Sequence, residues 1–324
     1  MCTAISFNAK NHYFGRTLDL EKRFGEKVII TPRNYVFKLK TGGYIDRHYA
    51  IIGMALSIDE YPLYFDATNE HGLSIAGLNF VGNAYYSDNL EADKINLAPF
   101  ELIPYLLSKC KTVDECEEIL KEINLVNIPF NDKLENAQLH WLIADKEKSI
   151  VLECMREGMK IHQNPVGVLT NNPPFEYQIM NLNNYMGLSV SAPQNTFSDK
   201  IELDVYSRGM GAIGLPGDFS SASRFVKSAF VKLNSVMPTT EKESINQFFH
   251  IMGAVEQVEG CVIFENKFER TQYTSCCDTD RGIYYYKTYE NNQITAVKMY
   301  SENLDDKELT CYDLKYDESI NYIN

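Results

Sequence analysis

The stretch MCTAISFNAKNHYFGRTLDL, residues 1–20, decides how the fold is read. Two strand-like runs, CTAISF (2–7) and HYFGRTLDL (12–20), flank the polar turn Asn8-Ala9-Lys10-Asn11. They read as an antiparallel hairpin at the very start of the chain. A turn centred on Ala9-Lys10 places Cys2 across from Thr17, with Arg16 and Asp19 as its neighbours on the facing strand. A slip of one residue changes which side chains share a face, because side chains alternate along a strand.

Outward from this hairpin, EKVIITPRNYVFKLK, HYAIIGMALSI and LYFDATNEHGLSIAGLNF continue the β signal, with turn residues at Asn69 to Gly72. Helix appears later. PFELIPYLLS (99–108) opens on proline with apolar spacing, and Thr112 followed by Glu115 is a capping-box pattern. LHWLIAD and SIVLECM form another hairpin, and Pro173-Pro174 fix a non-helical loop after Asn171-Asn172. A helix with Ser220 or Ser221 as N-cap starts in LPGDFSSASRFVKSAFVKLN. A second helix, SINQFFHIMGAV, precedes strands paired around the turn at Glu290 to Asn292. Strands gather at both ends with most of the helices between, and no repeat or linker divides the chain. The pattern is α+β, with mixed or antiparallel sheets rather than βαβ alternation. YAIIGMAL and SIVLECM are apolar on both faces, which suggests sheet packed on sheet with helices outside. The expected organisation is a single domain, 2–324.

Composition excludes several classes. The 324 residues carry 31 Lys+Arg against 44 Asp+Glu, a formal charge of −13. That charge opposes nonspecific binding to nucleic acid or an anionic membrane. No apolar run approaches the ~20 residues that span a bilayer. The N-terminus lacks a basic segment followed by an apolar one, so no secretory signal is expected. Eight cysteines without a C-x-x-C suit reduced thiols in a cytoplasm. Six histidines form no H-x-x-x-H pair, and no metal is expected.

Position 2 is the candidate nucleophile. Removal of Met1 leaves Cys2 with an exposed sulfhydryl and a free α-amine, with reference pKa values of ~8.5 and ~7.7–8.0. One residue then supplies nucleophile and base, as N-terminal threonine nucleophiles do. On composition alone, a second-position cysteine is usually just a small residue; the facing hairpin strand is what shifts the reading. Arg16 beside the thiol favours thiolate and Asp19 can hold a protonated amine, although the two also read as an ordinary surface pair.

Several segments in order resemble the choloylglycine hydrolase family, which contains bile salt hydrolases and penicillin V acylases. They are MCT (1–3), FGRTLD (14–19), NEHGL (69–73), AGLNF (76–80), LTNNP (169–173) and GLPGDFSSASRF (214–225), followed by YTSCC (273–277) and YYYKTYENNQI (284–294). The likeness covers essentially the whole chain. It implies an N-terminal-nucleophile hydrolase with a four-layer αββα sandwich of two mainly antiparallel sheets. It implies Cys2 as nucleophile, Arg16 beside the thiol, Asp19 on the α-amine and Arg224 in the charge network around sulfur. Asn171 would donate a side-chain N–H to the oxyanion, and Asn79 mainly its backbone N–H. Read without the resemblance, Asn79 simply ends a strand and Asn171 starts a turn. Arg224 near a helix start is electrostatically out of place, which favours a functional charge.

The implied reaction is hydrolysis of a linear amide with no cofactor: conjugated bile salts split to free bile acid and glycine or taurine. Asn at position 79 and the runs at 61–67 and 82–88 resemble the bile salt branch; penicillin V is the alternative substrate. The resemblance places the apolar pocket near Leu20, Phe65 and the 127–140 segment, and suggests a homotetramer. A retained scaffold that only binds ligand, and a thiol redox protein using Cys276-Cys277, are the readings from other classes.

Overall fold

The computed structural model describes residues 1–324. The chain runs β1 (Cys2–Asn8), β2 (His12–Leu20), β3 (Lys27–Thr31), β4 (Phe37–Lys38), β5 (Tyr44–Ile45), β6 (Ile51–Ile58), β7 (Tyr61–Asn69), β8 (Ser74–Asn79) and β9 (Ile95–Leu97). Helices α1 (Leu102–Lys109) and α2 (Val113–Leu120) follow, then β10 (Ile123–Leu125), β11 (Leu139–Ala144), β12 (Ser149–Met155), β13 (Gly158–Gln163) and β14 (Val168–Leu169). Next come α3 (Phe175–Asn181), α4 (Ser221–Asn234) and α5 (Glu241–Gly253). The chain ends in β15 (Val262–Phe264), β16 (Lys267–Asp278), β17 (Ile283–Thr288), β18 (Thr295–Lys298) and β19 (Thr310–Asp313).

Two large sheets form. One has seven strands, in the order β14-β1-β2-β16-β17-β18 with β15 on β16; the other has eight, in the order β13-β12-β11-β8-β7-β6-β3-β19. Every pairing in both is antiparallel. Alternation along the strands builds the layers. On β11, Leu142 and Ala144 join the core shared with β1 and β2, while Trp141 and Ile143 join the core under α1 and α2. Phe225 and Ala229 of α4 and Phe248 and Met252 of α5 cover the seven-stranded sheet. The result is helix, sheet, sheet, helix. No helix is long and apolar enough to cross a membrane.

The first hairpin differs from the expected register by one residue. Asn8 pairs with His12 and Cys2 with Leu18, so the loop is Ala9-Lys10-Asn11 and Cys2 does not face Thr17. The odd-length loop is closed by Ala9 N–H donating to the Asn11 carbonyl at 2.9 Å. The turn composition alone was compatible with either closure. Helix α3 was also unforeseen: Pro174 is its N-cap, so the prolines that suggested a loop mark a helix start. Thr112 does cap α2, its side chain accepting from Glu115 N–H. The Glu115 carboxylate, however, takes the Lys111 N–H at 2.6 Å rather than closing a reciprocal box. Ser220 caps α4, which frees Ser221 for another role.

Candidate active site

Strand alternation decides what surrounds Cys2. Leu18 lies opposite it, so Arg16, Leu18 and Leu20 share the face of its side chain, while Thr17 and Asp19 lie on the other. Backbone alternation matters equally. Met1 and Asp19 exchange main-chain hydrogen bonds, so Cys2 sits at a position that bonds away from β2. On that outer side β14 pairs with β1 only at Ala4 and Ile5 before turning off at Thr170-Asn171. The Cys2 N–H and C=O therefore meet side chains. The N–H donates to Asn171 Oδ1 at 2.8 Å, and the C=O accepts from Arg224 Nη1 at 2.5 Å.

Arg16 reaches from the seven-stranded sheet into a split in the other. The β7–β8 ladder ends at Asp66 with Ala76. Beyond that pair, Arg16 Nη1 donates to the carbonyls of both Phe65, at 3.1 Å, and Gly77. The guanidinium occupies the place of missing strand pairing. The same split leaves the Asn79 backbone N–H without a strand partner. Phe80 N–H bonds the carbonyl of Gln138, just before β11, so the Asn79 N–H, one residue earlier, points the other way, where the ladder has stopped.

Asn171 joins these pieces. Its Oδ1 accepts from Cys2 N–H and from Arg224 Nη2, the latter at 2.8 Å, and its Nδ2 donates to the Asn79 carbonyl at 2.8 Å. An amide nitrogen carries two hydrogens, so one remains for a ligand. The backbone N–H of Asn171 donates to Ser221 Oγ at 2.7 Å. Arg224 also donates to Thr3 Oγ1 at 2.7 Å and to the Phe219 carbonyl at 3.0 Å. Its position in the first turn of α4 brings it onto the back of β1.

Asp19 departs from expectation. Its carboxylate accepts from Thr17 Oγ1 at 3.0 Å and Thr271 Oγ1 at 2.6 Å, and it makes no hydrogen bond to the Cys2 nitrogen. That nitrogen is directed toward Asn171, and Met1 occupies the space beside Asp19. The Met1 ammonium instead meets the Asp19 carbonyl and the Glu269 carboxylate.

The charges are buried and mutually dependent. Burial opposes the Arg16 charge, but Cys2 leads a group of anionic and phenolic neighbours that outweigh it and hold the guanidinium above its ordinary range. Burial pulls Arg224 down against Asp19, Cys2 and Glu269. Asp19 is pushed up because burial outweighs Arg224, the chain amine and its two threonine donors. Behind Arg16, burial likewise raises Asp66, although Tyr273, Ser275 and Tyr284 all donate to it and so bolt the two sheets together.

A cavity of about 240 Å³ opens over Cys2, and 15 of its 21 lining residues are hydrophobic. Arg16, Leu18, Leu20, Phe65 and Asn79 line it, as do Phe130, Leu134 and Asn136 from the 127–140 segment. Cys2 is only 2% exposed, so the expected exposed sulfhydryl is instead the floor of this cavity. Asp19, Asn171 and Arg224 are not in its lining and stand behind the nucleophile. Leu63, Ile103 and Trp141 also line it, as do Phe24 and Phe100, and sequence reasoning did not single them out. It also missed Thr17, Glu269, Thr271 and Ser221, of which only Thr17 and Ser221 fall inside the segments that carry the resemblance. Cys276 and Cys277 are buried in a strand with their thiols pushed up by burial, which leaves the redox alternative without a reactive pair. No group of three or more His, Cys, Asp or Glu side chains is placed to hold a metal ion.

Residues 2–312 match the model of the linear amide C–N hydrolases, choloylglycine hydrolase family. A bile salt hydrolase/transferase of Lactiplantibacillus plantarum is 55% identical over 316 residues, 97% of each chain. One from Clostridium perfringens is 40% identical over the full length of both. The solved structure of the C2A mutant of the Clostridium perfringens conjugated bile acid hydrolase superposes with a TM-score of 0.93, at 38% identity and full coverage of both chains. A penicillin V acylase from Agrobacterium tumefaciens shares the fold, with a TM-score of 0.75 at 19% identity, over 97% of this chain and 92% of that one.

Proposed function

Since the chain belongs to the choloylglycine hydrolase family of linear amide C–N hydrolases, we propose that it is a bile salt hydrolase whose nucleophile is Cys2. It cleaves the amide of glycine- and taurine-conjugated bile salts and releases free bile acid and the amino acid. The observation that carries the catalytic reading is a single strand residue whose side chain floors an apolar cavity while its nitrogen faces the Asn171 amide. The sterol body suits the apolar lining. Penicillin V is not favoured, because the likeness to the acylase is one of fold.

The mechanism begins with loss of Met1, which turns the Cys2 nitrogen into an α-amine. That amine takes the thiol proton, and the sulfur attacks the amide carbonyl. The oxyanion accepts from the free Nδ2 hydrogen of Asn171 and from the Asn79 N–H. The Arg16 guanidinium is the charge partner of the sulfur on the cavity face, and Arg224, bonded to the Cys2 carbonyl, supports the same negative charge from behind β1. The amine returns its proton to the leaving nitrogen, the C–N bond breaks, and a thioester to Cys2 remains. Water, deprotonated by the same amine, attacks the thioester carbonyl. The C–S bond then breaks, giving the carboxylic acid and regenerating the thiol. The relatives named hydrolase/transferase support a second outcome, in which an amine takes the place of that water and receives the acyl group.

We further infer a cytoplasmic homotetramer. The exposed apolar side chains of Met186, Val190, Phe197, Tyr206 and Ile213, on one excursion after α3, support assembly. Eight free thiols support a reducing compartment. The decisive experiment measures glycine and taurine release for wild type and Cys2→Ala, with intact mass of the active material. Release by wild type alone, from chains lacking Met1, is expected. Full activity with Met1 attached, or in Cys2→Ala, overturns the mechanism.

A further inference from the structure

His140 lies outside the cavity lining and takes no part in the mechanism above, yet it touches the residue next to each oxyanion donor. Its ring is fully buried on β11 and stacks on Phe80, with centroids 4.3 Å apart and an interplanar angle of 6°. Phe80 directly follows Asn79. The ring Nε2 lies 2.8 Å from the carbonyl of Thr170, which directly precedes Asn171. The ring Nδ1 lies 3.1 Å from Glu153 Oε1 on β12. That oxygen also accepts from the Phe175 N–H at 2.9 Å, at the start of α3. One imidazole thus ties the end of β8, the turn after β14 and the first turn of α3.

The partners place a ring proton. A carbonyl only accepts, so Nε2 must donate to Thr170. A carboxylate also only accepts, and Glu153 is held down at about 2: burial opposes its charge, but the neighbouring His140 and His162 and the Phe175 N–H prevail. Nε2 therefore donates to Thr170, while Nδ1 lies against a buried carboxylate. The remaining charged groups lie on the far side of Glu153. His162 Nε2 is 3.4 Å from Glu153 Oε2, and its other nitrogen is 3.8 Å from Glu176.

We propose that His140 is a positioning residue that sets the spacing of the two oxyanion donors through Thr170 and Phe80. The inference rests on the oxyanion role given above to Asn79 and Asn171. A turn that is free to drift moves the Asn171 amide relative to Asn79 N–H, and a misplacement of about 1 Å in such a constellation lowers turnover on the order of a hundredfold. His140→Phe keeps the stack on Phe80 and removes the ring nitrogens that meet Thr170 and Glu153. It should lose kcat on that order with KM unchanged, since the bile salt cavity does not include residue 140. His140→Gln, whose amide can reach the Thr170 carbonyl, should recover most of the loss.

The test combines these kinetics with ¹⁵N NMR of histidine-labelled wild type. The signals that vanish in His140→Gln should report a ring with a proton on Nε2, the nitrogen that faces the Thr170 carbonyl. Wild-type kcat in His140→Phe, a loss confined to KM, or a ring without a proton on Nε2 overturns the proposal. Should His140→Phe fail to fold, the wild-type ring spectrum and His140→Gln kinetics decide it on the same terms. Cys2→Ala run in parallel separates the two levels. Residual turnover there sinks the nucleophile reading itself, whereas a dead Cys2→Ala beside a fully active His140→Phe sinks only the role of His140.

Discussion

Replacing Asn171 by alanine tests the site most directly, because one amide carries three separable duties. Its spare Nδ2 hydrogen is the oxyanion donor. Losing one such donor raises the barrier by about 2.7–4 kcal/mol, roughly two to three decades in kcat. Its Oδ1 accepts from Arg224 Nη2 and from the Cys2 nitrogen, each at 2.8 Å. Truncation leaves a buried guanidinium N–H unpaired, a loss of about 1–3 kcal/mol of stability. Asn171→Asp separates the duties. It keeps an oxygen toward Arg224 and Cys2, but sets a carboxylate against the Asn79 carbonyl and the developing oxyanion. Both variants should therefore lose kcat by at least about a hundredfold, while only Asn171→Ala shows the full fall in urea midpoint. The assay is amino-acid release from a glycine-conjugated bile salt, with folding followed by urea titration. A kcat within threefold of wild type in Asn171→Ala, or a loss appearing only in KM, would refute the oxyanion assignment.

His12 is buried between Ser6 Oγ and Thr279 Oγ1, and burial pushes it down to about 4. The unfolded chain therefore binds the extra proton between pH 6.5 and 4. The stability that His12 contributes is complete above the unfolded value and falls by about 3 kcal/mol across that window. His12→Asn should flatten this part of the urea midpoint–pH curve, and an unchanged slope would contradict the burial argument. At Gly15 a Cβ would stand 2.0 Å from the Ser275 carbonyl oxygen. Gly15→Ala should destabilise by at least about 3 kcal/mol and lower Tm by at least about 4 °C, and an unshifted melt would show that β2 and β16 do not approach as described. Trp141, the only tryptophan, lines the cavity. In Cys2→Ala, conjugated bile salt should change its emission saturably; constant emission at concentrations that saturate the wild-type reaction would place the sterol elsewhere.

The layers were legible because both-face apolar runs such as YAIIGMAL can only be buried between other elements. Arg16 stood out through the hairpin that faces Cys2 and Arg224 through its place at a helix start, whereas Asn79 and Asn171 stood out only through the segments containing them. Register was not legible: an Asn-Ala-Lys-Asn turn closes with either parity, and only packing against β16 and β14 selects one. Helix α3 was hidden because Pro173-Pro174 terminate one element and begin another at the same place. Thr271 comes to Asp19, and Glu269 to the Met1 ammonium, from a strand some 250 residues away, and nothing near position 19 announces them. His140 escaped for a related reason. Its partners arrive from β8, β12 and the turn after β14, so its meaning exists only once those segments are adjacent.

The parity of the first hairpin does more than align two strands. With Leu18 opposite Cys2, the even-numbered side chains Cys2, Arg16, Leu18 and Leu20 all face the cavity, while Thr3, Thr17 and Asp19 face Arg224. The two-residue period thus separates sulfur chemistry from proton management on opposite sides of one ribbon. The register expected from the turn alone would have set Thr17 opposite Cys2. It would then have put Asp19 on the thiol's face, a carboxylate in an apolar cavity, and turned Leu18 toward the guanidinium of Arg224. That arrangement buries an unpaired charge on one side and strands one on the other. A chain of net charge −13 acting on an anionic substrate needs its few cations placed where the charge develops. The odd-length loop at residues 9–11 delivers this by sending Arg16 through the split between β7 and β8 while leaving Arg224 behind β1. Loop length is accordingly a determinant of the active site, fixed before any catalytic side chain is considered.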